Sequence, residues 1–383
     1  MTDTTDSFLL ENATLVLPDR VVERGWIAVA AGRIADLGEG RAPERGIDIG
    51  GDTVLPGLVE LHTDHLESHF CPRPKVRWHP LSAVMAYDAQ IVAAGITTVF
   101  DSLRLGSDFD NKSLNSDLWV LADAIETAAT AGHLRAEHRT HLRCEISASD
   151  VIEQAEAYVA RYAAHLISLM DHTPGQRQFR DIEIWKGFYG GRGNDAAELD
   201  ALIERRLSLH ARNAVAHRRR LVALAGERGI VLASHDDATP EHVAEAVSDG
   251  VAIAEFPTTA EAAHASHRAG IRVMMGGPNV VRGGSHSGNV AAEALAREGV
   301  LDILSSDYVP ASLLLAAFDL PRRLPAITLP QAVATVTLNP ARATGLHDRG
   351  ALGAGLRADL VRVHLTAGTP IVRSVWREGR RVA

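Results

Sequence analysis

Cysteine is scarce: Cys71 and Cys144 are the only two in 383 residues, and their separation fits neither a disulfide framework nor the paired spacing of a zinc ribbon. No apolar run approaches the length of a membrane span. The opening Met1-Thr2-Asp3-Thr4-Thr5-Asp6 is polar and acidic, without the basic region and apolar stretch of a signal peptide, so the cytoplasm is the expected compartment. Positive charge is not in excess either. The net charge of −9 argues against general binding to nucleic acid or membranes and leaves any affinity for a polyanion to local clusters of arginine and lysine. What is present is a hydrophobic content of 46%, enough for one large α/β domain with an appendage, or for two domains.

The N-terminal residues read as short strands at 8–17, 26–30 and 33–37, parted by turn residues. The C-terminal ones repeat the style at 359–363 and 372–375. Neither end holds enough strands to stand alone, so residues 1–55 and 341–383 are expected to combine into a small β-sandwich. Across 56–340, apolar strand-like runs alternate with helical stretches. The runs lie at 58–62, 97–103, 140–146, 166–171, 230–234, 251–256, 271–276 and 301–306, and the helical stretches at 118–131, 151–164, 197–228 and 290–298. Eight runs in this alternation predict an α/β fold, a parallel (β/α)8 barrel of the TIM type. The rival is an open doubly wound sheet. It would place a glycine fingerprint after the first strand, where this chain has His62 and Asp64.

In a parallel barrel, catalytic groups collect at the C-terminal ends of the strands. Those ends carry His62 and Asp64 after the first run, Glu145 on the third, His172 after the fourth, His235 after the fifth and Asp307 after the eighth, all metal-compatible donors. On an extended strand His62 and Asp64 share a face, as do Arg143 and Glu145, Ala233 and His235, and Ser305 and Asp307. Each candidate also has a plain structural explanation. Asp64 can cap the next element, His235-Asp236-Asp237 can start a helix before Pro240, and Asp171-His172-Thr173-Pro174 can be a turn. Glu145 can pair with Arg143 or Arg135, and Asp307 can cap the segment at Pro310. Coincidence at every one of these strand ends is a poorer explanation than one shared metal site.

The opening Leu55-Pro56-Gly57-Leu58-Val59-Glu60-Leu61-His62-Thr63-Asp64 and the later Ser305-Ser306-Asp307 resemble the amidohydrolase superfamily. Longer segments are similar to one branch, the PhnM-type proteins of the carbon–phosphorus lyase pathway: Cys71-Pro72-Arg73-Pro74, Met170-Asp171-His172-Thr173-Pro174-Gly175-Gln176-Arg177-Gln178, Ala233-Ser234-His235-Asp236-Asp237, Ala254-Glu255-Phe256-Pro257 and Gly277-Pro278-Asn279-Val280-Val281-Arg282-Gly283-Gly284-Ser285-His286. The similarity covers nearly the whole chain. It implies a metal-dependent phosphoanhydride hydrolase that converts α-D-ribose 1-methylphosphonate 5-triphosphate to the 5-phosphate and pyrophosphate, using one or two divalent ions of zinc, manganese or iron. The implied ligands are His62, Asp64, Glu145, His172, His235 and Asp307. Asp307 would also orient the attacking water and accept its proton, and His286 would protonate the departing pyrophosphate. Arg282, within the loop of Gly283, Gly284 and Ser285, offers an anion fork, with Arg177, Arg73 and Lys75 for the remaining phosphates.

The chain departs from the superfamily pattern in three places. Its usual His-x-His has Asp64 in second position, followed by His65, a supporting residue at most. Of the lysines Lys75, Lys112 and Lys186, only Lys186 follows anything strand-like, so Glu145 is preferred to it as the bridge between metals. The sixth run carries Glu255 in place of a histidine. Two other readings stand beside the first. A C–N hydrolase, a deacetylase or deaminase acting on a small polar substrate, would turn Arg282, Arg177 and Arg73 away from the metals. A silent scaffold for protein assembly would lack several ligands. The expected partner is a small ribosyl triphosphate, with no nucleic acid and no membrane. Barrels of this kind often pair, so a homo-oligomer is expected by association alone.

Overall fold

The computed structural model describes residues 7–106, 112–179, 181–190, 196–285 and 288–383. Alternating apolar and polar residues near both ends form one terminal sheet. It contains β1 (Phe8–Val16), β2 (Val21–Ala30), β3 (Arg33–Glu39), β4 (Ile47–Asp48) and β5 (Thr53–Pro56) from the N-terminal side, and β14 (Leu360–Thr366), β15 (Thr369–Arg377) and β16 (Arg380–Arg381) from the C-terminal side. The two ends meet where β5 pairs in parallel with β1 and antiparallel with β14. Leu15, Ile27, Ile34, Val54, Leu360 and Trp376 form its own core, so neither terminus buries its apolar face without the other.

Between these strands lie the eight apolar runs, all of them strands: β6 (Leu58–Thr63), β7 (Ile96–Leu105), β8 (Glu137–Glu145), β9 (Leu166–Met170), β10 (Val231–His235), β11 (Ile253–Glu255), β12 (Arg272–Gly276) and β13 (Ile303–Ser305). They pair in parallel in chain order. Thr63 then bridges in parallel to Asp307, just past β13, which brings the ring nearly to closure and favours the barrel over the open sheet. Continuous burial along these strands follows from having a barrel interior on one side and helices on the other. Leu61, Phe100, Ala233, Ile253, Met274 and Ile303 fill the interior, whereas Val99, Leu142, Leu169 and Leu304 join the larger core under the helices.

The helices up to the last part of the barrel are α1 (His65–Phe70), α2 (Pro80–Ala93), α3 (Lys112–Thr130), α4 (Val151–Arg161), α5 (Ile182–Gly190), α6 (Ala196–Arg228), α7 (Pro240–Ser248), α8 (Ala260–Arg268) and α9 (Gly277–Arg282). Side-chain oxygens of Thr239 and Thr259 cap α7 and α8, and prolines occupy the first turns of α2, α7 and α9, where a missing N–H costs nothing. Helix α6 is far longer than its neighbours. Its His217 and Asn213 bond the carbonyls of Ile146 and Ser147 at 3.0 and 2.9 Å, and His210 meets Asp171 at 3.0 Å.

At the N-terminal ends of the barrel strands, a polar plug joins the segment before β14 to the barrel. Arg349 and Arg357, both buried, converge on Glu137 at the start of β8, with Arg349 at 2.6 Å. Arg349 also donates to Thr98, and Arg357 to Asp359, at 2.9 and 2.8 Å. Gly57 passes so close that a Cβ there would sit 2.2 Å from the Thr97 hydroxyl.

Candidate active site

At the opposite end, a cavity of about 410 Å³ opens over the C-terminal ends of the strands and is lined by His62, Asp64, His172, His235, Arg282, Gly284, Ser285 and Asp307. Sequence candidates from five widely separated segments thus share one space. That volume suits a small organic ligand.

His62 reaches this space by an irregularity in β6. The pairing of β6 with β7 contains an extra β6 residue between Glu60 and Thr63, and although Leu61 lies in the interior core, the next side chain, His62, meets Glu255 inside the barrel. Asp64 is not on the strand. Strand β6 ends at Thr63 and Asp64 occupies the N-cap position of α1 without making a capping bond, so the shared strand face expected of it is replaced by a turn that still leaves it lining the cavity. His65 opens α1 instead of continuing a strand, and its ring lies against His69.

Glu255 is the carboxylate at the centre. It is buried beside His62 at 3.3 Å, His235 at 2.9 Å and His141 at 3.6 Å, and accepts from the Ser168 hydroxyl at 2.6 Å. Burial alone would push its carboxyl up, but the surrounding imidazoles outweigh that and hold it well below the usual carboxylate range. His141 projects inward from the middle of β8. Its Nδ1 bonds the Leu61 carbonyl at 2.9 Å, its Nε2 contacts Ser168, and burial holds its pKa down at about 3. His235 is likewise lowered by burial. Below them, Glu60 accepts from the backbone N–H groups of His62 and Ser306, each at 2.6 Å; burial and the nearby Asp307 push it up to about 8 against those bonds.

Among the described residues two groups of donors have the spacing a metal ion requires: His62, His141 and Glu255 in one, His172, His235 and Asp236 in the other, each with ligand atoms within 4.8 Å of one another. Within the first, His62 Nδ1 and Glu255 Oε1 face each other without hydrogen-bond geometry, and neither has another hydrogen-bond partner among the described residues. Buried atoms of this kind are normally satisfied. Two buried polar atoms left open in this way, beside a third donor on His141, fit a metal ion, so these residues could hold one.

Glu145 stands one step back. It accepts from the His172 N–H and Nδ1 at 3.2 and 2.7 Å and from the Ser147 hydroxyl at 2.9 Å, and pairs with neither Arg143 nor Arg135. Burial disfavours charge on His172, but Glu145 and Asp236 raise its pKa above the ordinary value. Lys186 lies on α5, paired with Asp200 at 3.1 Å, and does not line the cavity.

The rim is locked by backbone. Asp236 and Phe256, immediately past β10 and β11, and Asp307, two residues past β13, have φ of 55, 54 and 55°, in the left-handed region that non-glycine residues seldom occupy. Each gives its N–H to a neighbouring strand: Asp236 to Glu255, Phe256 to Met274 and Asp307 to His62, at 2.9, 2.9 and 3.1 Å. These bonds hold the conformations in place, as happens at sites where geometry matters more than local comfort.

The arginine and lysine candidates divide. Arg282, exposed at the end of α9, lines the cavity with Gly284 and Ser285, and Gly283 ends that helix with φ of 81°. Arg177 does not arrive. Its side chain is buried against Asp237, with Nη2 3.1 Å from Glu245, and is spent on joining the loop after β9 to β10 and α7. Arg73 and Lys75 are exposed in the loop after α1 and do not line the cavity. His286 lies outside the described residues. Reasoning from strand ends passed over His141 and the central place of Glu255. The available signal was the alternation His141, Arg143, Glu145 along one strand, which points three polar side chains into the barrel.

The sequence profile of the family described as "Amidohydrolase family" matches residues 123–383. The chain is 49% identical over 381 residues to the alpha-D-ribose 1-methylphosphonate 5-triphosphate diphosphatase of Escherichia coli (strain K12), covering 98% of this chain and 100% of that protein. Among solved structures it is similar to the N-acetyl-D-glucosamine-6-phosphate deacetylase of Mycobacterium smegmatis, with TM-score 0.65, 18% identity and 98% and 99% of the two chains covered. It is also similar to the 5-methylcytosine deaminase of Klebsiella pneumoniae, with TM-score 0.66, 15% identity and 98% of each chain covered. These two structural likenesses speak for the fold.

Proposed function

The chain belongs to the amidohydrolase family, and from that premise we propose that it is a metal-dependent hydrolase converting α-D-ribose 1-methylphosphonate 5-triphosphate to the 5-phosphate and pyrophosphate. The observation that carries the reading is the end-to-end 49% identity to the Escherichia coli diphosphatase. The cavity supports it by bringing the family's imidazoles and carboxylates together beside an arginine.

One or two ions of zinc, manganese or iron suit the mixed imidazole and carboxylate donors. His62, His141 and Glu255 would hold one and His172, His235 and Asp236 another, with Asp64 and Asp307 as further donors in the same cavity. When bound, such an ion polarises a phosphoryl oxygen and acidifies water. The remaining work falls to the chain itself. Asp307, fixed at the rim through its own N–H, orients the attacking water and takes up its proton. Arg282 and the loop of Gly283, Gly284 and Ser285 receive outer phosphates at the mouth. His286 protonates the departing pyrophosphate, a role proposed from its place in the sequence. A C–N hydrolase gains from Arg73 and Arg177 lying outside the cavity, but leaves Arg282 beside the carboxylates without a purpose.

The test is turnover of the ribosyl triphosphate and of nucleoside triphosphates side by side, with pyrophosphate and orthophosphate measured separately. Pyrophosphate from the ribosyl substrate is the expected product. Its absence, or release of orthophosphate alone, would overturn the reading.

A further inference from the structure

One arginine in the cavity has no part in the mechanism above. Arg143 projects inward from β8, on the same side as His141 and Glu145, and lines the cavity although the residue is only 8% exposed. A guanidinium is always charged, and burying it without full pairing is costly. Its ion pair is a single long contact, Nη1 to Asp64 Oδ2 at 3.4 Å. Its Nε–H is buried and has no hydrogen-bond partner among the described residues. Among the described residues Nη2 makes no hydrogen bond or ion pair either, so the guanidinium keeps donor capacity for a phosphoryl oxygen that enters the cavity.

The charge of the cavity points the same way. Asp64, Asp236 and Asp307 all line it, and with Arg73, Lys75 and Arg177 elsewhere, the lysines and arginines lining it among the described residues are Arg143 and Arg282. These two differ in setting. Arg282 ends a short helix and is exposed, whereas Arg143 is held on a barrel strand within the wall. A buried, strand-mounted cation is the more exact anchor, because its position is set by the packing around it.

We propose that Arg143 is a further substrate-binding residue, holding a phosphoryl oxygen at the inner end of the cavity while Arg282 takes the outer end of the same polyphosphate. The assignment rests on the triphosphate reading given above.

The experiment uses the full-length, metal-loaded protein and two variants, Arg143→Met and Arg143→Lys. Calorimetric binding of inorganic tripolyphosphate, KM and kcat for the ribosyl triphosphate, metal content and Tm are measured for each. Arg143→Met is expected to weaken tripolyphosphate binding roughly 10- to 100-fold and to raise KM, with metal content and Tm unchanged. Arg143→Lys, which keeps the charge but loses the fork, is expected to fall between it and the unaltered protein. Unchanged tripolyphosphate affinity in Arg143→Met would overturn the assignment. So would parallel loss of metal and Tm in both variants, which would make Arg143 a support for Asp64. If the unaltered protein turns over the ribosyl triphosphate while Arg143→Met binds normally, only Arg143 is wrong. If the unaltered protein neither releases pyrophosphate nor binds tripolyphosphate, the functional reading falls and this assignment with it.

Discussion

The two ends of the barrel handle buried charge in opposite ways. At the N-terminal ends of the strands, Arg349, Arg357, Glu137 and Asp359 satisfy one another, with Thr98 accepting from Arg349 and Thr97 donating to Asp359, and the plug is closed. At the C-terminal ends, among the described residues, imidazoles crowd a carboxylate, two facing atoms lack hydrogen-bond partners, and Asp236, Phe256 and Asp307 sit in left-handed backbone. Saturated pairing serves cohesion. Unsaturated pairing keeps donors available for something that arrives later, and the surrounding fold must hold it open.

This contrast can be broken most sharply at Asp307. Asp307→Asn is expected to keep Tm while lowering kcat by about 10²–10⁴-fold in the metal-loaded protein, as removal of one positioned base does; near-normal turnover would remove Asp307 from the chemistry. The mirror experiment is Glu137→Gln at the closed end. Losing the anion between two buried arginines is expected to cost about 3 kcal/mol in denaturant unfolding with kcat retained. If activity fell and stability did not, the division of labour would be wrong.

The same carboxyl sets a pH dependence. Burial raises the pKa of Glu137, but Arg357 and Arg349 outweigh it and hold it well below the ordinary value of 4.5. A depressed carboxyl contributes stability above its unfolded pKa and loses it as pH falls, so acid unfolding is expected to begin below about pH 4.5 and to flatten in Glu137→Gln. Arg282→Ala is expected to weaken triphosphate binding about tenfold with Tm unchanged, measured by calorimetry. The smallest effect is expected outside the barrel wall, where His138 lies between Asp101 at 2.9 Å and Asp88 at 3.3 Å. Burial opposes its charge, yet the two carboxylates push its pKa up to about 9. A raised histidine stabilises fully below its unfolded value near 6.5 and loses that contribution as pH rises through about 9. Tm is expected to decline modestly across that window, and less steeply in His138→Gln.

The barrel was legible because each of its strands is a continuous apolar run, and a run buried on both faces reads the same however its neighbours pair. The strand ends were legible for a related reason: a histidine or aspartate directly after such a run stands out. Facing was harder. Simple alternation puts His62 and Asp64 on one side, but the extra residue in β6 and the turn into α1 aim both by other means. Arg177 misled because its partners, Asp237 and Glu245, are distant in sequence and become neighbours only when β9 and β10 pair. Glu255 looked like a departure from a histidine pattern. Its significance lies in the three imidazoles that other strands bring to it.

Helix α6, at 33 residues about 50 Å long, gives that crowded end a stiffness its short loops lack. Through His217, Asn213 and His210 it straps the turns after β8 and β9 from outside. The turn presenting His172 is therefore splinted to a rod seated against the barrel, and the aim of that imidazole is inherited from a helix that never enters the cavity.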